Sequence, residues 1–339
     1  MNRLNRMWPL TILLAALTIS CRMNPPSPSP SQTAAAGTAA AQTAGTATQA
    51  PDPGALSLPS QLQGSERILT VYVVDEEESR DMDAEDYLCG VLAGEMRNDW
   101  PEEALKAQAI IARTYLIDFL NTKGQSQYGG ADISTDEKES QAYDLKGVND
   151  AIRQAVEETR GQVIVHGEQA IKAWFHACSG GKTATATEGL NYKESDPPYI
   201  TVVESDESAA PPEALEWSKS FTKDEIRSAL SKMGLKADSL EPVEISERGP
   251  SGRCVTLTFG ETEVNAAELR KHLDPQRFRS TLLTGCAWKD GKLTVSGKGY
   301  GHGVGMSQWG AFTMAQNGSS CEEIIAHFFK DVKIVQAWK

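Results

Sequence analysis

Apolar and polar positions take on structural periods from Ser65 onward. Arg67 to Val74 (RILTVYVV) alternates and is rich in β-branched residues, which predicts a strand. From about Ala84 to Met96 the spacing turns helical: Leu88, Val91 and Leu92 share one face, and Glu95 completes it at i+7. A second helix is predicted from Pro101, with Glu102 and Glu103 in its first turn and Leu105, Ala109, Ala112, Leu116 and Phe119 at three- and four-residue steps. Val148–Thr159 reads as a third helix, followed by strands near 163–165 and 170–176. Pro197–Ala214 is acidic and proline-bearing, the pattern of a surface loop. A helix over Asp224–Met233, short strands with glycine turns over 253–300 around a helix at Ala266–Leu273, and a final helix from near Cys321 complete the pattern. There is no internal repeat. The expected fold is α+β, a helical segment packed with short strands, as two lobes around a cleft.

Residues 22–64 break from this. They are mostly Pro, Ser, Ala, Thr, Gly and Gln, and bury too little apolar surface to offset the entropy of ordering, which predicts a disordered linker with a reach of about 35 Å. Residues 1–21 read as an export signal. Arg3 and Arg6 precede an apolar run from Trp8 to Ile19, and the run ends Leu17-Thr18-Ile19-Ser20-Cys21. A small residue before Cys21 is similar to a lipobox, in which that cysteine is acylated; Thr18 departs from its usual Leu or Val. The other reading is an uncleaved signal anchor. Either one places residues 65–339, a single catalytic domain by this reading, outside the cytoplasm and against the membrane.

Composition narrows the function classes. The 339 residues are 40% hydrophobic and 23% charged, with a net charge of −13. The first 64 residues hold three arginines and one aspartate, leaving about −15 on the rest. An acidic body without a basic stripe argues against a nucleic-acid partner. Beyond Cys21 there are five cysteines, an odd number with no C-x-x-C spacing; a Cys254–Cys286 bridge and small buried thiols are both open.

Three segments carry candidate chemistry. In Tyr87–Met96, a carboxylate finishing an apolar stripe loses solvation, which raises its pKa toward what a general acid needs. The bland alternative is a helix-end Glu95 paired with Arg113, which borders the apolar stripe of the next helix. The third segment, Lys298–Ala311, has five glycines within twelve residues, implying unusual backbone angles and close approach by a ligand or a neighbouring chain. It presents His302, Ser307 and Gln308, expected to bind substrate, the other reading being a structural turn next to the site. Its spacing fits neither a phosphate loop nor a nucleophile elbow.

YLCGVLAGEM, WPEEALKAQAIIARTY, SGGKT, PYI and GYGHGVGMSQWGA, in that order from about residue 67 to the C-terminus, resemble the stage II sporulation protein D family, which shares a domain with amidase-enhancer proteins. The resemblance implies a lytic transglycosylase of peptidoglycan in septal wall remodelling during sporulation and engulfment. It places the catalytic acid/base on Glu95 and a substrate-orienting role on Arg113. Phe175, His176, Ser179, Gly180 and Gly181 resemble the family's aromatic-polar-x-x-S-G-G block, a cleft wall. It also implies strands denuded of stem peptides as substrate, and a membrane-bound amidase as partner. One acid suffices, because the sugar's own C6 hydroxyl attacks and leaves a 1,6-anhydro end. Many relatives carry Cys and His metal ligands after a first Asp; Asp132–Gln141 has neither, so no metal and no cofactor are expected. Two rivals stand beside this reading. One is a non-enzymatic, glycan-binding enhancer of an amidase. The other is an ordinary glycoside hydrolase, which needs a second carboxylate near Glu95, with Asp99 and Asp118 as candidates by proximity.

Overall fold

The computed structural model describes residues 56–339. The export signal, Cys21 and most of the linker lie outside them. The last part of the predicted linker is built into the fold, a correction to the boundary at 64. Leu56 and Leu58 pack on the core, Leu62 is wholly buried, and the Gln61 amide donates to Asp132 Oδ1 at 2.9 Å. Three leucines in seven residues supply the apolar surface that the Ala/Thr stretch lacks.

Strands β1 (Ile68–Val73) and β2 (Glu78–Asp83) form an antiparallel hairpin leading into helix α1 (Ala84–Glu95). The Asp83 side chain accepts from Glu85 N and starts that helix. Helix α2 (Glu102–Lys123) follows, with Pro101 as its N-cap residue rather than inside the first turn. Strand β3 (Ile133–Ser134) pairs parallel to β1, and helix α3 (Asp150–Glu158), capped by Asn149, packs on α1 and α2. Strands β4 (Gln162–His166) and β5 (Gln169–Ala170) form a second hairpin; β6 (Phe175–His176) and short helices α4 (Ala186–Leu190) and α5 (Pro212–Leu215) complete this stretch.

A second hydrophobic core then begins, spanning Trp217 to Val295. It lies among β7 (Glu216–Thr222), helix α6 (Lys223–Lys232), β8 (Val243–Arg248), β9 (Cys254–Phe259), β10 (Thr262–Asn265), helix α7 (Ala266–His272), β11 (Leu283–Lys289) and β12 (Lys292–Lys298). These strands form two antiparallel sheets, in the orders β8-β9-β10 and β7-β12-β11. The chain returns to the first core with β13 (Met306–Ser307), α8 (Gln308–Gln316), α9 (Cys321–Phe328) and β14 (Lys333–Gln336), the last pairing with β4.

The fold is therefore α+β, with two cores, the second inserted between α5 and the glycine-rich segment. Buried polar contacts join them. Arg253, just before β9, sends its guanidinium into the first core to Ser179 O at 2.7 Å and Lys182 O at 2.8 Å. In return the Glu188 carboxylate accepts from Ser251 Oγ at 2.5 Å and Arg253 N at 3.2 Å. Burial pushes the Arg253 guanidinium down to about 10, countered by the Glu188 and Glu207 charges. All five described cysteines are free thiols, so there is no Cys254–Cys286 bridge. Among the described residues, no helix is long and apolar enough to cross a membrane.

Candidate active site

Helix α1 is buried nearly all round, from Tyr87 through Leu92, and ends on Glu95. Its last turn packs directly on the segment 141–143. A Cβ on Gly94 would lie 2.6 Å from Ala142 C and Tyr143 N, so only glycine admits this approach. The contact lets Ala142 N donate to Glu95 Oε1 at 2.7 Å. Glu95 is 4% exposed. Burial pushes its carboxyl up to about 8; the Ala142 N–H opposes that shift and the Glu137 carboxylate adds to it. The group is thus an acid at neutral pH, with one backbone donor already aimed at the ionised form.

From the glycine-rich segment, Gln308 reaches this acid. Its Nε2 donates to the Glu95 backbone carbonyl at 3.1 Å and lies 3.4 Å from Gln108 Oε1 on α2. Beside it, Trp309 packs with Trp100 and Phe312, ring centroids 4.6–5.2 Å apart. Gln108, Gln141, Ala142 and these aromatics went unrecognised in the residue pattern. The two Trp residues stood inside the matching blocks, whereas a backbone donor such as Ala142 N leaves no mark in a sequence.

Arg113 is a correction. It pairs with Glu85 at the start of α1 rather than with Glu95: Nη2–Oε2 is 2.5 Å and Nε–Oε1 is 3.0 Å. Nη1 donates to Gln162 O at 3.1 Å, and the same carboxylate accepts from Trp338 Nε1 and Gly161 N. Arg113 is wholly buried, with its donors committed to the protein. It is a structural residue, not one that holds a saccharide.

Ser179, Gly180 and Gly181 are a second correction. Their amides do not face a glycan; they close on the buried Glu207 carboxylate at 2.6, 2.8 and 3.0 Å. The Cys178 thiol donates to it at 3.2 Å, and Ser307 Oγ also does so, while Ser307 Oγ accepts from Gly310 N to start α8. Glu207 lies in the stretch read as a surface loop, yet it is the anion that this nest was shaped to hold. Its bonds fix Ser307 and thereby place Gln308 against Glu95.

Phe175 and His176 pair in parallel with Met306 and Ser307, so the close approach implied by the glycines is to a neighbouring chain segment. At Gly305, with φ of 71°, a Cβ would fall 1.9 Å from Trp174 O. His176 and His302 lie with ring centroids 5.7 Å apart, and His302 Nδ1 accepts from Val304 N at 3.0 Å. Burial, with the Arg270 and Arg253 charges, pushes His302 down to about 3; burial also holds His176 well below its usual range. Both rings are therefore uncharged at physiological pH and buried.

The carboxylates proposed by proximity as partners of Glu95 are engaged elsewhere: Asp99 with Arg97 at 2.6 Å and Asp118 with Lys172 at 3.6 Å. An open cavity of about 510 Å³ is lined by Glu103, Lys106, Glu158, Thr159 and Cys321 among others, and its lining does not include Glu95.

A family profile described as stage II sporulation protein matches residues 74–166, which hold α1, α2, Glu95 and Ala142 but not Gln308. Residues 193–305 match a domain of unknown function. An uncharacterized protein of Brachyspira hyodysenteriae is 32% identical over 267 residues, 78% of this chain and 69% of its own length. The stage II sporulation protein D of Bacillus amyloliquefaciens is 30% identical over 282 residues, covering 79% of this chain and 78% of the relative. The chain belongs to the stage II sporulation protein D family. An amidase enhancer of Bacillus subtilis is 28% identical over 288 residues, 71% of this chain but 39% of that longer protein. Within the stage II sporulation protein D family frame, the site that survives the corrections is Glu95 with Ala142 N and Gln308.

Proposed function

We propose that this chain acts on the cell wall in sporulation as a lytic transglycosylase of peptidoglycan, with Glu95 as acid and then base. The observation that carries the reading is a buried carboxyl pushed up to about 8, facing one backbone donor. With Oε1 accepting from Ala142 N, Oε2 is free to hold the proton and deliver it to the glycosidic oxygen. The carboxylate left behind keeps the Ala142 hydrogen bond and takes a proton from the attacking C6 hydroxyl. The relative named as an amidase enhancer gives the rival reading, but glycan binding alone has no use for a carboxyl kept protonated in this way.

The acidic body favours strands already stripped of their carboxylate-bearing stem peptides, which makes an amidase the partner that supplies the substrate. Incubated with denuded strands, the protein is expected to release soluble fragments. Intact wall is expected to yield few until a peptidoglycan amidase is added. Equal release from both, by chromatography of the products, contradicts this substrate assignment.

Attachment of the body to the membrane through acylated Cys21 belongs to the same proposal, since a wall enzyme then works within the linker's reach. A single acyl chain binds only marginally, so stable attachment takes several. Cys21→Ser is expected to abolish labelling by an alkyne fatty acid and to free the protein from membranes or leave it unprocessed. An unlabelled parent protein that still sediments with membranes contradicts acylation and leaves the signal anchor.

A further inference from the structure

The buried polar side chains that lead up to Glu95's partner are paired, with one exception. Glu139 accepts from Ser126 Oγ, Gln127 N and Ser134 Oγ, and Ser140 Oγ donates to Ser134 O at 2.8 Å. Gln141, wholly buried and directly before Ala142, has no partner for either Oε1 or Nε2. Across the site, Gln108 is wholly buried as well, and its Nε2 is also unpartnered while its Oε1 takes Gln308. Buried donors and acceptors are nearly always satisfied, because leaving them unmade is costly. Of the nine such atoms among the described residues, three belong to these two glutamines, one directly before Ala142 and the other bonded to Gln308, the two residues that hydrogen-bond Glu95; the other six lie elsewhere in the fold.

We propose that the Gln141 carboxamide is a positioning group of the glycan site that recognises a sugar's acetamido substituent. Three alternatives fit the donor set less well. An anion uses only the Nε2 donors and meets the Glu95 and Glu137 carboxylates. A cation uses only Oε1. A lone hydroxyl leaves one end of the amide unmade. An acetamido group presents an N–H and a C=O in one plane, the complement of a carboxamide. In an N-acetylated sugar it stands on the carbon next to the scissile centre, so gripping it fixes that centre against Glu95. Pairing gives up no existing hydrogen bond of Gln141. The inference rests on the glycan reading above, but it is read by binding and not by products.

The test compares the full-length chain with Gln141→Met, which keeps the volume and removes both polar ends. Each is measured for binding to N-acetylated glycan strands, to the same strands after N-deacetylation, and to re-acetylated strands. The parent protein is expected to prefer acetylated and re-acetylated strands by about tenfold or more, as a site built to hydrogen-bond a group rejects the analogue lacking it. In Gln141→Met that preference is expected to shrink to about twofold or less, with a melting temperature unchanged or raised, because an unsatisfied amide has been removed. A preference retained in Gln141→Met, or absent in the parent, overturns the proposal and leaves a trapped water as the amide's partner. A lowered melting temperature makes Gln141 structural and overturns it too. If Gln141→Met does not fold, Gln141→Asn, which withdraws the amide by one methylene, must show the same loss of preference; failure of both to fold also overturns the assignment. Acetamido preference without glycan cleavage defeats the transglycosylase reading and leaves this one standing.

Discussion

Replacing Glu95 with Gln is expected to lower glycan cleavage by about 10²–10⁴-fold, the usual worth of general acid–base catalysis, and to raise stability at neutral pH. The amide keeps an oxygen for Ala142 N and fills the same space, but has no proton to deliver. The stability gain follows from the ionisation of the native carboxyl, which is pushed by burial from the ordinary 4.5 to about 8. Between those values the native state binds more protons than the unfolded chain. The carboxyl's contribution is therefore fully present below pH 4.5 and is lost as pH rises through about 8. At pH 7 the loss is about 3 kcal/mol, which an uncharged Gln avoids. Melting temperatures of the two proteins are expected to agree near pH 4 and to separate toward pH 8, with the variant higher. The parent's cleavage rate is expected to fall across about pH 8 rather than near 4.5. Parallel melting curves across that range contradict the burial argument, and near-parent turnover in the variant contradicts the acid role.

Arg113→Met is expected to destabilise the protein by about 3–5 kcal/mol while sparing the turnover of whatever remains folded. The loss comes from Glu85. With the guanidinium gone, a buried carboxylate keeps Gly161 N and Trp338 Nε1 but no counter-charge. Adding Glu85→Gln, which retains an acceptor for Trp338 without the charge, is expected to recover much of the loss. Chemical denaturation of the single and double variants checks this. If Arg113 held substrate, the single variant would keep its melting temperature and lose activity, and the second change would rescue nothing.

How far the sequence could be read depended on whether the information was local. Helices α1 and α2 were legible because their apolar spacing and first-turn residues are local signals, and Glu95 stood out as the carboxylate closing the apolar stripe. The partner of Arg113 was not legible. Glu85 and Glu95 lie on one helix on different faces, and only the packing of α2 decides which one the guanidinium meets. Glu207 was hidden for a similar reason: the nest that buries it comes from 178–181 and Ser307, far away in the chain. Helix α8 was masked by the glycines just before it, which serve the packing on Trp174–Cys178 and carry no helical period themselves. Two lobes and most elements of the second core were legible, but its extent was not, because its sheets are built from pairings such as β7 with β12, whose strands are some seventy residues apart.

The central claim, that one carboxylic acid cleaves the glycan with the sugar's own hydroxyl as nucleophile, is tested most directly by running the cleavage in heavy-oxygen water and weighing the products. The account predicts 1,6-anhydro ends lighter by one water than a hydrolysis product and free of the heavy isotope. Reducing ends that carry the label would contradict it. They would make the chain a hydrolase, with Glu137, the carboxylate whose charge acts on Glu95, as the candidate for its second acidic group.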